Sequence, residues 1–321
     1  MNKIENKTIF VTGGAGFIAS HIIDRLIDNN KVTIYDNYTR DSVCFDKDLI
    51  THENLTLIKG DVLDSVYLSK SMKGSDIVVH CAAIAGIFSV SSSPTTTMKV
   101  NLIGTYNVLE AALEHNVKQV IDFSTSEVYG SFVYKGKETD NTTIGPVGQK
   151  RWTYAIGKLA SEHLAHSYAE EYDLNAISVR PFNVYGPRQI GEGAIQQMII
   201  RALSNEDITI YNDGLQIRAW CYVSDFTDAF IKILERNINN QTINIGNPQA
   251  STNIVTLAQK IIEMTDSLST IVFKKHPGEE IEVRIPDIEK AHDLLDYIPA
   301  VGLEEGLRKT IKWYKQYSQE I

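Results

Sequence analysis

The feature that most constrains this chain is a repeated switch of period between residue 8 and about residue 180. Short β-branched runs at 8–12, 31–35, 55–59, 77–80, 120–123 and 176–179 alternate with longer stretches of helical spacing. The first helical stretch, 17–29, places Ile18, Ile22, Ile23, Leu26 and Ile27 on one face, and others follow near 67–72, 97–115 and 154–172. Strands joined by helices of this length build right-handed βαβ crossovers. The expected fold class is therefore α/β, a doubly wound parallel sheet of the Rossmann type. Beyond Pro181 the pattern loosens. Helices are expected at 194–203, 225–236, 252–264 and 303–317, and short strands at 208–211, 242–245 and 271–273, with turns at 212–214 and at Pro277-Gly278. This predicts a first domain over 1–180 and a smaller mixed α/β C-terminal domain over 181–321, with some strand and helix exchange between them.

Charge and cysteine use narrow the function. Lys and Arg number 31 against 40 Asp and Glu, a net charge of −9, which repels phosphate backbones and argues against a nucleic-acid partner. An anionic ligand must then be met by local Arg, Lys or helix N-termini. Cys44, Cys81 and Cys221 form no CxxC pair and read as thiols of a reducing compartment. No apolar stretch approaches the roughly 18 residues that span a bilayer, and the first eight residues carry no apolar leader core. The expected location is cytoplasmic, with no membrane partner.

Thr12-Gly13-Gly14-Ala15-Gly16-Phe17-Ile18-Ala19 follows the first strand and opens the first helix. Gly13 permits a tight turn, Gly16 lets the backbone approach a pyrophosphate, and the helix N-terminus offers free N–H groups. Ala19 stands where a third Gly is commoner. Asp36, 20 residues after Gly16, is placed to bind a ribose 2′-hydroxyl, which favours NAD over NADP, although Arg40 close by suits a 2′-phosphate. Asp61 and Val62, after the third strand, are candidates for the adenine.

At the other end of the expected crevice, Tyr154 and Lys158 stand four residues apart, on one face of a helix. A nearby cation stabilises a phenolate, so the pair predicts a lowered Tyr154 pKa and a usable base. Thr125, Ser126 and Glu127 follow the strand ending at Phe123, at the carboxyl edge where ligand crevices form. The two hydroxyls suit a substrate hydroxyl and Glu127 is a second acid or base. His163 and His166 find no third ligand nearby and read as surface or helix-interface residues; no metal is expected. His80 and Cys81 read as packing.

Taken together these residues resemble the extended short-chain dehydrogenase/reductase family, the NAD-dependent nucleotide-sugar epimerases and dehydratases. The resemblance covers almost the whole chain: TGGAGFIA, Asp36, Gly60-Asp61-Val62, His80 to Ala83, Asn101 in NLIGT, STSEVYG, Tyr154 with Lys158, Arg180 to Arg188, Gln216-Ile217-Arg218 and Asn244 to Pro248. It implies an NAD site built from Gly13, Gly16, Phe17, Ile18, Asp36, Asp61, Val62, Ala82, Asn101, Tyr154 and Lys158 in the first domain. It implies a nucleotide-sugar site in the second, with Asn183, Arg188, Arg218 and Arg284 as substrate contacts. It also implies the chemistry: Tyr154 takes the sugar 4-hydroxyl proton while the C4 hydride passes to NAD, and the resulting 4-ketone activates C5 and C6. Thr125-Ser126-Glu127 and Arg151-Trp152-Thr153-Tyr154 look nearest the UDP-glucuronate decarboxylase branch, which includes the UDP-xylose and UDP-apiose synthases. NDP-hexose 4,6-dehydratase and NDP-sugar 4-epimerase are the alternatives within the family; a non-catalytic NAD-sensing regulator is the alternative outside it. Gly191 to Ala194 departs from the segment most UDP-xylose synthases use beside the nucleotide. The family's homodimer implies pairing through the helices near 97–115 and 154–172.

Overall fold

The computed structural model describes residues 3–236, 238–275 and 280–317, so the turn expected at Pro277-Gly278 lies outside the described residues. Seven strands form the main sheet: β1 (Thr8–Thr12), β2 (Lys31–Asp36), β3 (Leu55–Lys59), β4 (Ile77–His80), β5 (Gln119–Phe123), β7 (Ala176–Pro181) and β12 (Thr242–Ile245). β6 (Phe132–Gly136) lies between β5 and β7 in the chain but joins another sheet. The order across the main sheet is β12-β7-β5-β4-β1-β2-β3, all parallel. The chain leaves β1 to one side for β2 and β3, then crosses to the other side for β4, β5, β7 and β12. That reversal opens a crevice above the carboxyl ends of β1 and β4, where ligands bind in such sheets.

One face of the sheet carries the helix Phe17–Leu26 against the helix Val223–Glu235, with Phe226 and Phe230 packed on Phe123 at ring-centroid distances of 5.7 and 5.5 Å. Burying a side chain of this size contributes about 1.5–3 kcal/mol. The first helix stops at Leu26, short of the expected 29, because the Asn30 amide turns back to donate to the Leu26 carbonyl at 2.8 Å. The opposite face carries the helices Gly104–Glu114 and Trp152–Tyr172. A π-helical segment, Lys99–Ile103, interrupts the helical run expected at 97–115. At its centre buried Asn101 accepts from the Ile84 N–H at 2.9 Å and donates to the Ile84 carbonyl at 3.1 Å. A one-turn distortion of this kind re-aims a side chain without ending the helix.

The later strands are β8 (Val184–Tyr185), β9 (Ile208–Tyr211), β10 (Ile217–Ala219), β11 (Cys221–Tyr222), β13 (Ser251–Asn253), β14 (Ile271–Lys274) and β15 (Val283–Pro286). They form a second sheet in the order β13-β10-β15-β6 and two two-stranded ribbons, β11-β8 and β14-β9. Exchange between the halves runs both ways. β12 and the helix Val223–Glu235 complete the first sheet, and β6 becomes an edge of the second. Cys81 and Cys221 are free thiols. Among the described residues no helix is long and apolar enough to cross a membrane.

Candidate active site

At the nucleotide end Gly13 has φ +66°, and a Cβ on it would stand 2.5 Å from the Ala82 nitrogen. Only glycine admits this turn with the β4 loop so close. Gly16 begins the helix with no side-chain cap, so the first N–H groups, including those of Phe17 and Ile18, face the crevice end. Asp36, at the tip of β2, accepts from the Ala15 N–H at 3.0 Å and from the Tyr38 N–H at 2.8 Å. The carboxylate is thereby fixed beside the glycine turn, and burial pushes its pKa up. Arg40 donates to Glu192 at 3.1 Å and to Ser89 at 3.1 Å, which commits its guanidinium to the 191–194 segment rather than to a 2′-phosphate. Asp61 accepts from the Leu63 N–H at 2.9 Å in its own turn, beside buried Val62. Asn101 anchors Ile84 in the loop that carries Ala82. A glycine cradle, a fixed carboxylate and an uncapped helix start are the parts a dinucleotide requires, so the residues fit NAD.

At the chemical end Thr125 accepts from the Glu127 N–H at 3.2 Å and so starts the 3₁₀ turn Ser126–Tyr129 directly above β5. Tyr154 is half-buried on the first turn of the helix Trp152–Tyr172, and Lys158 is fully buried one turn on. The expected lowering of the Tyr154 pKa is not found. Burial and the Glu127 charge push the phenol up, with a hydrogen bond from Thr125 opposing them. The physical reason is that the Lys158 ammonium faces Asp122, whose Oδ1 lies 4.0 Å away, and makes no protein hydrogen bond.

Neighbouring strands β10 and β15 place Arg218 and Arg284 in register. Arg284 Nη1 lies 3.7 Å from Glu127 Oε1, and Arg151 Nη2 reaches the same oxygen at 3.9 Å. Arg218 donates to the Ile281 carbonyl at 2.6 Å. Burial, then the charges of Arg284 and Arg151, push Arg218 down to about 9, and burial brings Arg284 to about 10. Two guanidiniums thus flank one carboxylate beside Tyr154, with a third in the next register position, an arrangement that favours an anionic guest.

The other two expected substrate contacts are engaged elsewhere. Asn183 donates to the Ala219 carbonyl at 2.9 Å, which ties the loop after β7 to β10. Arg188 pairs with Asp24, and with Asp46 at 2.8 Å, which joins the first helix to the loop after β8. Reading the sequence missed two residues as site members. Arg151 lies three residues before Tyr154, a spacing that does point to the same end of the helix. Asp122 is the one charged residue of a fully buried strand.

Residues 9–246 match the NAD dependent epimerase/dehydratase family. The chain is 36% identical to a UDP-N-acetyl-alpha-D-glucosaminuronate decarboxylase of Bacillus cytotoxicus, over 98% of this chain and 99% of that one. It is 34% identical to UDP-glucuronic acid decarboxylase 1 of Xenopus tropicalis, over 98% of this chain and 74% of that one. A solved structure of the Bacillus cereus UDP-glucuronic acid 4-epimerase, in complex with UDP-glucuronic acid and NAD, superposes with a TM-score of 0.88 at 30% identity, covering 96% of this chain and 99% of that one. The chain belongs to the NAD dependent epimerase/dehydratase family and is an enzyme of that family.

Proposed function

We propose that the chain binds NAD and decarboxylates a UDP-linked hexuronate by way of a 4-keto sugar. The observation that carries this reading is the convergence of Arg151 and Arg284 on the single carboxylate of Glu127 beside Tyr154, with Arg218 in register beside Arg284. Diphosphate alone brings negative charge to such a site, and a hexuronate adds a further carboxylate at C6 that a neutral hexose lacks. Guanidinium forks match carboxylate and phosphate oxygens alike. The names of the two decarboxylases support the same class, one acting on an acetamido uronate and one on glucuronate, which differ at C2.

In this reading the Gly13–Ile18 turn would hold the pyrophosphate, Asp36 the adenosine ribose, Asp61 and Val62 the adenine, and Ala82 and Asn101 the nicotinamide half. Bound NAD supplies a hydride acceptor for C4 and a donor for its later reduction. The Tyr154 oxygen takes the 4-hydroxyl proton, and Lys158 would hold the neighbouring ribose. Thr125 and Ser126 orient the sugar hydroxyls. Once C4 is a ketone, the C6 carboxylate is β to it; the C5–C6 pair passes into the carbonyl as carbon dioxide leaves. Glu127 handles the proton at C5, Arg151 and Arg284 hold the carboxylate before it departs, and Arg218 holds the nucleotide, while Asn183 stays with the Ala219 carbonyl. Arg188 is assigned to the scaffold.

The test is incubation with UDP-glucuronate, its 2-acetamido counterpart and UDP-glucose, followed by mass spectrometry. Loss of carbon dioxide supports the reading. Loss of water, or an unchanged mass with a new epimer, assigns the same site to dehydration or 4-epimerisation and overturns it. We also propose that two copies pair across the helices Gly104–Glu114 and Trp152–Tyr172, where Tyr106, Ile156 and Tyr172 are exposed. A single-chain mass by light scattering at micromolar concentration would refute the pairing.

A further inference from the structure

A row of polar side chains crosses the main sheet beneath the helix Trp152–Tyr172. The register pairs Thr12 with His80, His80 with Asp122, Asp122 with Ser178 and Ser178 with Thr242. In-register neighbours on parallel strands about 4.8 Å apart point to the same face. One pleat earlier the same face is apolar, with Phe10, Val78, Val120 and Ala176 fully or nearly fully buried. The row is therefore a built feature of the carboxyl ends of the strands.

Its two ends differ. On the β1 side His80 is fixed between the hydroxyls of Thr12 at 2.6 Å and Thr105 at 3.0 Å. On the β12 side Thr242 meets His166, half-buried, at 3.0 Å. Between them both Asp122 oxygens, Ser124 Oγ, Ser178 Oγ and Lys158 Nζ are buried and have no protein hydrogen-bond partner. Buried polar atoms that lack protein partners are satisfied by internal water. The charged and titratable groups facing Asp122 are Lys158, Tyr154 and Glu162 from the helix, His80 from β4, and Arg180 from β7, which Glu162 holds at 2.6 Å. Burial pushes Asp122 up to about 6, against the pull of Lys158, so it exchanges protons near neutrality.

Decarboxylation needs such a route. The C5–C6 pair that passes into the C4 carbonyl returns to C5 as a C5–H bond, whose proton is the one Tyr154 took from the 4-hydroxyl, handed on through Glu127; Tyr154 then needs one solvent proton for each carbon dioxide released, to give back to O4 when the ketone is reduced. We propose that Asp122, Ser178, Thr242 and His166 form a water-bridged path returning this proton to Lys158 and Tyr154, with Asp122 as its positioning residue. The proposal rests on the decarboxylation reading for its purpose, but the path itself is testable without substrate.

In the protein alone, the protonated Asp122 carboxyl gives an infrared band, identified by its loss in Asp122→Asn, whose shift on mixing with D₂O reads the exchange rate. Thr242→Val cuts the path where it meets His166 and leaves Lys158 untouched; it is expected to slow exchange and to lower kcat, each roughly tenfold or more. KM stays as it was, and the loss deepens as pH rises. Asp122→Glu recovers most of the rate that Asp122→Asn loses. Unchanged exchange and kcat in Thr242→Val, whatever Asp122→Asn does, would overturn the path and leave Asp122 as a structural prop for Lys158. Absence of carbon dioxide release by the wild type would sink the decarboxylation reading instead, and the exchange rates would still judge the path.

Discussion

Glu127 Oε1 lies 3.7 Å from Arg284 Nη1, and it is the anion at the centre of a cationic site. Until a substrate carboxylate arrives, Glu127 holds Arg151 and Arg284; it then competes with that carboxylate for them. Glu127→Gln is therefore expected to bind UDP-glucuronate as tightly as the wild type or tighter, and to turn it over roughly a hundredfold more slowly through loss of the acid–base group. Calorimetric affinity measured beside kcat checks both halves. Weakened binding with kcat preserved would reverse the assignment.

Tyr154 carries the proton chemistry at C4. Tyr154→Phe removes one oxygen from a half-buried ring and keeps the packing. Turnover is expected to fall by roughly 10²–10⁴, the range for loss of a positioned acid–base group, with NAD and UDP affinities within about twofold of the wild type. Single-turnover rates with saturating cofactor make the comparison. A variant that retains a tenth of the wild-type rate would remove Tyr154 from its role.

Gly13 and Gly148 separate backbone strain from crowding. Both have positive φ, +66° and +96°, but a Cβ at Gly13 meets Ala82 N at 2.5 Å, while one at Gly148 meets nothing within 4 Å. A left-handed conformation costs a non-glycine residue about 1–2 kcal/mol, so Gly148→Ala is expected to lose about that much stability and no NAD affinity. Gly13→Ala must also push the β4 loop away, and is expected to lose more stability and at least tenfold in NAD affinity. Urea unfolding and NAD titration of the two variants test the contrast.

Local patterning made the strands legible, because a buried parallel strand is a short apolar run wherever it lies. The runs at 77–80 and 242–245 form strands over those same residues. What periodicity cannot show is which sheet a strand joins: β12 closes the first sheet from within the second half of the chain, and β6 does the reverse. The glycine turn, Asp36 and the Tyr154–Lys158 pair were readable because their spacing is local. The arginine cluster was only partly so, since Arg218 and Arg284 meet through the β10–β15 register, 66 residues apart in the chain. The Lys158–Asp122 contact was hidden too: the strand pattern marks Asp122 as anomalous without saying what stands above it.

His21 provides a pH prediction whose sign follows from its hydrogen bonds. Its Nδ1 faces Arg188 Nη2 at 2.8 Å, and a guanidinium only donates, so Nδ1 must accept; Nε2 then carries the proton and donates to the Pro187 carbonyl at 2.9 Å. Protonation would break the first bond and set two cations together. Burial, followed by the Arg188 charge, pushes His21 down to about 3, against an ordinary value of 6.5. Between those values the unfolded chain binds a proton at this position that the native state refuses. The stability contributed by neutral His21 is therefore complete above pH 6.5 and declines as the pH falls toward 3, at up to about 1.4 kcal/mol per pH unit. His21→Gln cannot take up that proton. It is expected to be less stable than the wild type at pH 8 and to lose stability less steeply between about pH 6 and pH 4, where its slope is lower by close to one proton. Denaturant midpoints of the two proteins across this range decide it: parallel lines would mean that His21 is protonated in the folded state and that Arg188 does not donate to it.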